Sequence, residues 1–130
     1  MFLINSIDFW VNLLVQASSV AFVEIAAHTP RTHLWAEGKK VRNNLSIQAG
    51  TAIATFQNGK YHNYTNGSSH AAIYLRQNHE GIYVLDQWDH DGKRQVVHER
   101  LIHFRHGIGS PANDGDAFYI IEPQATKEAG

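Results

Sequence analysis

The chain opens on an apolar stretch, residues 1–23, interrupted by Asn5, Asp8, Asn12, Gln16 and the Ser18-Ser19 pair. Phe9, Trp10, Leu13 and Leu14 recur at helical spacing. Ser6 stands at the N-cap position, with Asp8 beside the positive end of the helix dipole. Gln16-Ala17-Ser18 breaks the pattern. A second helix is predicted from Ser19 to Ala27 and stops at Thr29-Pro30, because proline has no N–H to donate. Residues 28–48 are charged, carry Trp35 and Gly38, and contain the turn signal Asn43-Asn44; they read as irregular. Strand signals then take over, at residues 51–56, 70–75 and 82–88, more weakly at 96–104, and finally at 117–122. Asn58-Gly59, Asn66-Gly67 and Gly81 punctuate them. Residues 123–130 read as a polar tail. Helices first and antiparallel strands after predict an α+β fold, with N-terminal helices packed on a central antiparallel sheet, in a single domain over residues 1–130.

Composition narrows the possibilities. A length of 130 residues with 43% apolar positions suits one domain with one modest core. A net charge of -1 gives no reason to expect nucleic acid or an acidic membrane as partner. The opening stretch lacks a basic leading segment and is too often interrupted for a signal peptide or a membrane helix, so it reads as core. No membrane insertion is expected, and synthesis is expected in the cytoplasm without a general export signal. The chain has no cysteine, which excludes disulfides and thiolate metal sites. It has nine histidines. His62, His79, His90, His98, His103 and His106 show no compact ligand spacing, so neither a metal nor a cofactor is expected.

The chemistry gathers at the central hairpin. A turn centred on Asn78 or His79 places His70 opposite Asp86 or Trp88, and either register puts His70 and Asp86 on one face. A carboxylate beside an imidazole fixes its tautomer and stabilises its protonated form. Gln87 is the rival orienter; an amide orients imidazole but does not offset its charge. The start of a helix aimed at that imidazole would complete the set, because its N–H groups stabilise a thiolate or a developing oxyanion. Trp35, Trp88 and Tyr74 suit a substrate groove or the core equally well. Arg31 and Lys39-Lys40 read as solvated charges, and Asp116 as a capping or pairing residue near the last strand.

Several short segments occur in a telling order. They are Ser19-Val20-Ala21-Phe22-Val23, Thr29-Pro30-Arg31-Thr32-His33-Leu34-Trp35, Gly50-Thr51-Ala52-Ile53-Ala54-Thr55-Phe56, His70-Ala71-Ala72-Ile73-Tyr74-Leu75, Val84-Leu85-Asp86-Gln87-Trp88 and Asn113-Asp114-Gly115-Asp116-Ala117-Phe118. Together, over roughly residues 15–122, the chain resembles a bacterial family of NlpC-type, papain-like cysteine amidases, similar to the type VI secretion amidase effectors that cut peptidoglycan peptides. The resemblance implies a papain-like fold with Ser19 at the nucleophile position, His70 as general base and Asp86 as its orienter. It also implies a peptidoglycan peptide as substrate, with a lean towards the cross-link amide. A cognate immunity protein, delivery by type VI secretion and action in a recipient's periplasm follow from the same resemblance.

The departure from the family is at the nucleophile. The family's Gly-Gln-Cys is Ala17-Ser18-Ser19 here. A serine hydroxyl is far less acidic than a thiol, and a site shaped for sulfur holds it poorly, so turnover several orders of magnitude lower is expected. An engineered trap and a natural inactive relative both account for Ser19, and the first is preferred. The chain lacks the Gly-x-Ser-x-Gly elbow of the serine α/β-hydrolases. A binding module that recognises cell-wall peptides or a partner protein without cleaving them is the alternative reading.

Overall fold

A computed structural model of the chain describes residues 1–3, 19–64, 66–87, 89–90, 93–94 and 97–124. The helix predicted within residues 6–16 and the end of the polar tail lie outside these residues. Among the described residues one α-helix, α1 (Ser19–Ala27), packs on a six-stranded sheet. In chain order the strands are β1 (Trp35–Lys40), β2 (Ala52–Thr55), β3 (Ala71–Gln77), β4 (Gly81–Asp86), β5 (Asp89–His90), β6 (Lys93–Arg94), β7 (His98–His103) and β8 (Phe118–Pro123). The sheet order is β1-β8-β2-β3-β4-β7, and β5 and β6 pair in a separate two-stranded ribbon. Every pairing is antiparallel. The α+β prediction with a helix on an antiparallel sheet is met.

Strand alternation sorts the core into two layers. On one face Ala52, Ala54, Ala71, Ile73 and Ile121 meet Phe22, Val23, Ala26 and Ala27 of α1. The alanines on the sheet let the helix approach closely. On the other face Ile53, Ala72, Tyr74, Val84, Ile102 and Phe118 pack together, with Val41, Ile47 and Phe104 coming in from the connections. Trp35 and Tyr74 are buried in these layers, so neither lines a groove. Trp88 lies outside the described residues.

The expectation of an irregular stretch over residues 28–48 needs correction, since β1 lies inside it. β1 is an edge strand that pairs with β8 alone, and its exposed positions take Glu37, Lys39 and Lys40. Charged residues are what an edge strand uses to discourage pairing with other chains, and they hide its strand character in the sequence. The helix boundaries fall at Ser19 and Ala27 as predicted; His28 follows with a left-handed backbone (φ 54°), ahead of Thr29-Pro30.

The central hairpin contains an irregularity with consequences for the site. Near the turn Gln77 pairs with Ile82 and Arg76 with Tyr83; further in, Tyr74 pairs with Val84 and Ile73 with Leu85. Leu75 is therefore an extra residue, a β-bulge. A one-residue shift moves every side chain beyond it to the opposite face. Without the bulge, Gln87 and not Asp86 would share a face with His70.

β4 and β7 approach each other closely at Gly81. A Cβ built there would lie 2.2 Å from the Ile102 carbonyl oxygen and 2.8 Å from His103 Cα. Both are backbone atoms, so relief requires moving a strand. Gly81→Ala is expected to destabilise the fold by about 2–3 kcal/mol, the upper part of the range for overpacking. A urea midpoint unchanged from that of the parent chain would show that the strands yield freely.

Candidate functional site

His70 is the last residue before β3. Its backbone is held from both directions by β2: Thr55 N–H donates to His70 O (3.0 Å), and His70 N–H donates to Thr55 Oγ1 (3.0 Å). The Thr55 hydroxyl in turn donates to Ser68 O (3.2 Å). The imidazole meets Phe118 edge-on, with ring centroids 6.3 Å apart. His70 is 6% exposed and Asp86 is 0% exposed, so the pair is shut away from bulk water.

Sequence reasoning places His70 and Asp86 on one face, and they are in contact: His70 Nε2 lies 2.7 Å from Asp86 Oδ2. Arg100, from the diagonal position on β7, donates to the same oxygen from Nε (2.9 Å) and Nη2 (2.6 Å). Arg100 Nη2 also stands 3.4 Å from His70 Nε2. Guanidinium has no acceptor, and Asp86 in its ionised form has no donor. The hydrogen-bond network therefore assigns the proton to Nε2, which donates to Asp86. Nδ1 of the neutral ring is then a lone pair, and it has no hydrogen bond to any described residue. That is the arrangement a general base requires.

Burial raises the pKa of Asp86, but the hydrogen bonds from His70 and Arg100 more than offset it and hold the carboxyl below the usual carboxylate range. Oδ1 is buried with no hydrogen-bond partner among the described residues, so every contact of the carboxylate falls on Oδ2.

Ser19 is the first residue of α1, which packs on β3, the strand that His70 leads into. By strand alternation His70, Asp86 and Arg100 continue the layer opposite α1. The residues that sequence reasoning missed are Arg100 and Thr55. Arg100 sits in a weak strand signal, where its alternation with buried Ile102 marks it as inward-facing. Thr55 lies within a recognised motif and does its work through backbone contacts. Asp116 pairs with Arg42 (2.7 Å) and accepts from His106 N–H (2.9 Å), as a capping or pairing residue should. Among the described residues no three His, Asp or Glu side chains converge on one point.

A helix on an antiparallel sheet, with a buried imidazole–carboxylate pair at the head of a central strand, defines a papain-like domain of NlpC type. Comparison with known proteins makes the class specific. The family described as domesticated amidase effector 2 matches residues 10–121, and the chain belongs to it. It is similar to a type VI secretion amidase effector 2 protein of Salmonella typhi, 38% identical over 112 residues, covering 77% of this chain and 83% of that protein. It is also similar to domesticated amidase effector 2 of Ixodes scapularis, 38% identical over 94 residues, covering 70% of this chain and 58% of the tick protein. Among solved structures, type 6 secretion amidase effector 2 superposes with a TM-score of 0.74 at 32% identity, over 86% of this chain and 85% of the other.

A carboxyl with a lowered folded-state pKa contributes stability at pH values above its unfolded value, about 3.9, and that contribution is lost as pH falls through the folded value. Asp86→Asn is therefore expected to cost about 1–3 kcal/mol at pH 7, the scale of an unmade buried hydrogen bond. The gap between parent and variant should close as the pH falls below about 4. Urea midpoints at a series of pH values measure it; a gap that stays constant into acid would show that Asp86 contributes through shape and not charge.

Proposed function

We propose that this chain is the frame of a peptidoglycan peptide amidase of the type VI secretion kind, with Ser19 at the nucleophile position, His70 as general base and Asp86 as its orienter. The observation that carries the reading is the His70 Nε2–Asp86 Oδ2 contact at the head of β3, which leaves Nδ1 as the basic nitrogen. Family membership supplies the reaction class. In the cysteine form the sulfur attacks the amide carbonyl carbon, and its proton passes to His70 Nδ1. Backbone N–H groups at the start of α1 hold the oxyanion. His70 returns the proton to the departing amine nitrogen, the C–N bond breaks, and an acyl-enzyme remains. Water, deprotonated by His70, then releases the acid. This requires the start of α1 to come round the N-terminal end of β3 to Nδ1.

With a hydroxyl at position 19 the frame binds peptide and turns over little. A cognate immunity protein covers the groove in the producing cell, and the protein acts in the periplasm of the recipient. The missing thiol favours one second reading, a binding module that recognises cell-wall peptides without cutting them.

Mass spectrometry of muropeptides incubated with this chain and with Ser19→Cys tests both readings. Cleavage by the cysteine form alone is expected, with the products identifying the bond. His70→Ala added to Ser19→Cys should lower the rate by about 10²–10⁴, the contribution of a general base. Two folded proteins that leave every muropeptide intact would replace the amidase reading with the binding module.

A further inference from the structure

On the outer side of Arg100 lies an open cavity of about 370 Å³, between β7 and the loop that follows it. Its charged lining has one sign: Arg100 and Arg105, joined by His103, Ser110 and Asn113, with no carboxylate among the lining residues. The wall is built rather than loose. Asp114, 2% exposed, accepts from the backbone N–H groups of Arg105 (2.8 Å), Gly107 (2.7 Å) and Asp116 (2.9 Å), which ties the loop to a buried anchor. His106, Gly107 and Gly109 take left-handed backbone angles to make the turn. Asn113 links the two guanidinium groups: its Oδ1 faces Arg100 Nη1 at 3.3 Å, and its carbonyl accepts from Arg105 Nε at 3.0 Å. Arg105 is exposed, and its two Nη groups have no hydrogen-bond partner among the described residues.

We infer that this cavity is a subsite for a free carboxylate of the peptide substrate, held by Arg105 and facing the field of Arg100. The inference rests on the amidase reading for the identity of the peptide. A planar guanidinium with both Nη groups open matches a carboxylate with two parallel hydrogen bonds. Arg100 is already committed to Asp86, so it forms the wall and the field while Arg105 supplies the contacts. The location suits a substrate. The guanidinium that borders the cavity also touches Asp86 at 2.6 Å and stands 3.4 Å from His70 Nε2, so a carboxylate bound here lies one side chain away from the base. The consequence is selectivity: stem peptides with a free carboxylate are preferred to those carrying a carboxamide at the same position.

Calorimetry of the chain as it stands, titrated with a synthetic stem tetrapeptide bearing free carboxylates and with its carboxamide counterpart, tests this. The acid is expected to bind about tenfold more tightly, the scale of one charge-assisted hydrogen-bond pair. Arg105→Gln should abolish the difference, and Arg105→Lys should restore part of it while guarding against a loop that has merely loosened. Equal binding of the two peptides, binding of neither, or an acid preference untouched by Arg105→Gln would overturn the subsite. The same pair of peptides given to Ser19→Cys separates this failure from failure of the amidase reading. Cleavage without charge preference removes the subsite alone. Arg105-dependent binding, with no cleavage by Ser19→Cys of these peptides or of cross-linked muropeptides, removes the amidase reading alone.

Discussion

The Asp86 carboxylate is the charge around which this molecule is arranged. It is fully buried, and an ionised carboxylate without partners in such a place would be expelled or protonated. Three donors converge on Oδ2, one from His70 and two from Arg100, and they come from strands on either side of β4. Removing Arg100 leaves the buried charge without its counter-ion, and removing His70 leaves Oδ2 short of one donor. The same convergence restricts the chemistry. Asp86 is an acceptor only, His70 Nε2 must carry the proton, and Nδ1 is left as the basic atom. Arg100 shares the carboxylate, so the negative charge that Asp86 offers an imidazolium is already partly met.

The sheet is what makes this convergence possible. Strand alternation fixes which residues share a face, and the Leu75 bulge resets the phase between the turn and the site. One extra residue in β3 selects Asp86 over Gln87 as the partner of His70. Thr55 then fixes the backbone at the head of β3 through two bonds to His70. These devices lie in β2, β3 and β4, in the middle of the sheet, where pairing on both sides leaves little freedom.

Much of this was legible in the sequence, for identifiable reasons. The apolar run from Ser19 to Ala27 ends at a turn and a proline, so the helix could be bounded. The His70–Asp86 contact followed from hairpin parity, although the turn lies half a residue beyond the expected centre and the bulge compensates. Arg100 was not found, because an arginine in a charged strand looks like a solvated face until the register shows which neighbour it meets. β1 escaped for the related reason that an edge strand is selected to look unlike a strand. β1 does not differ from a loop in local pattern, and the alternation of Arg100 with Ile102 gives its face but not its partner, which only long-range pairing supplies.

On the proposed roles, Ser19 would be served by an imidazole oriented by a buried carboxylate that has its own counter-ion, with a basic cavity beside them. What the hydroxyl changes is the energetics of the first proton transfer. A thiol is acidic enough to hand its proton to an imidazole and attack as a thiolate. A hydroxyl must be deprotonated as it attacks, which asks more of a base whose supporting charge is shared with Arg100. On the same proposal, binding rests on the basic cavity and does not require the thiol. On the proposed roles, replacing sulfur by oxygen in such a frame costs turnover before it costs recognition.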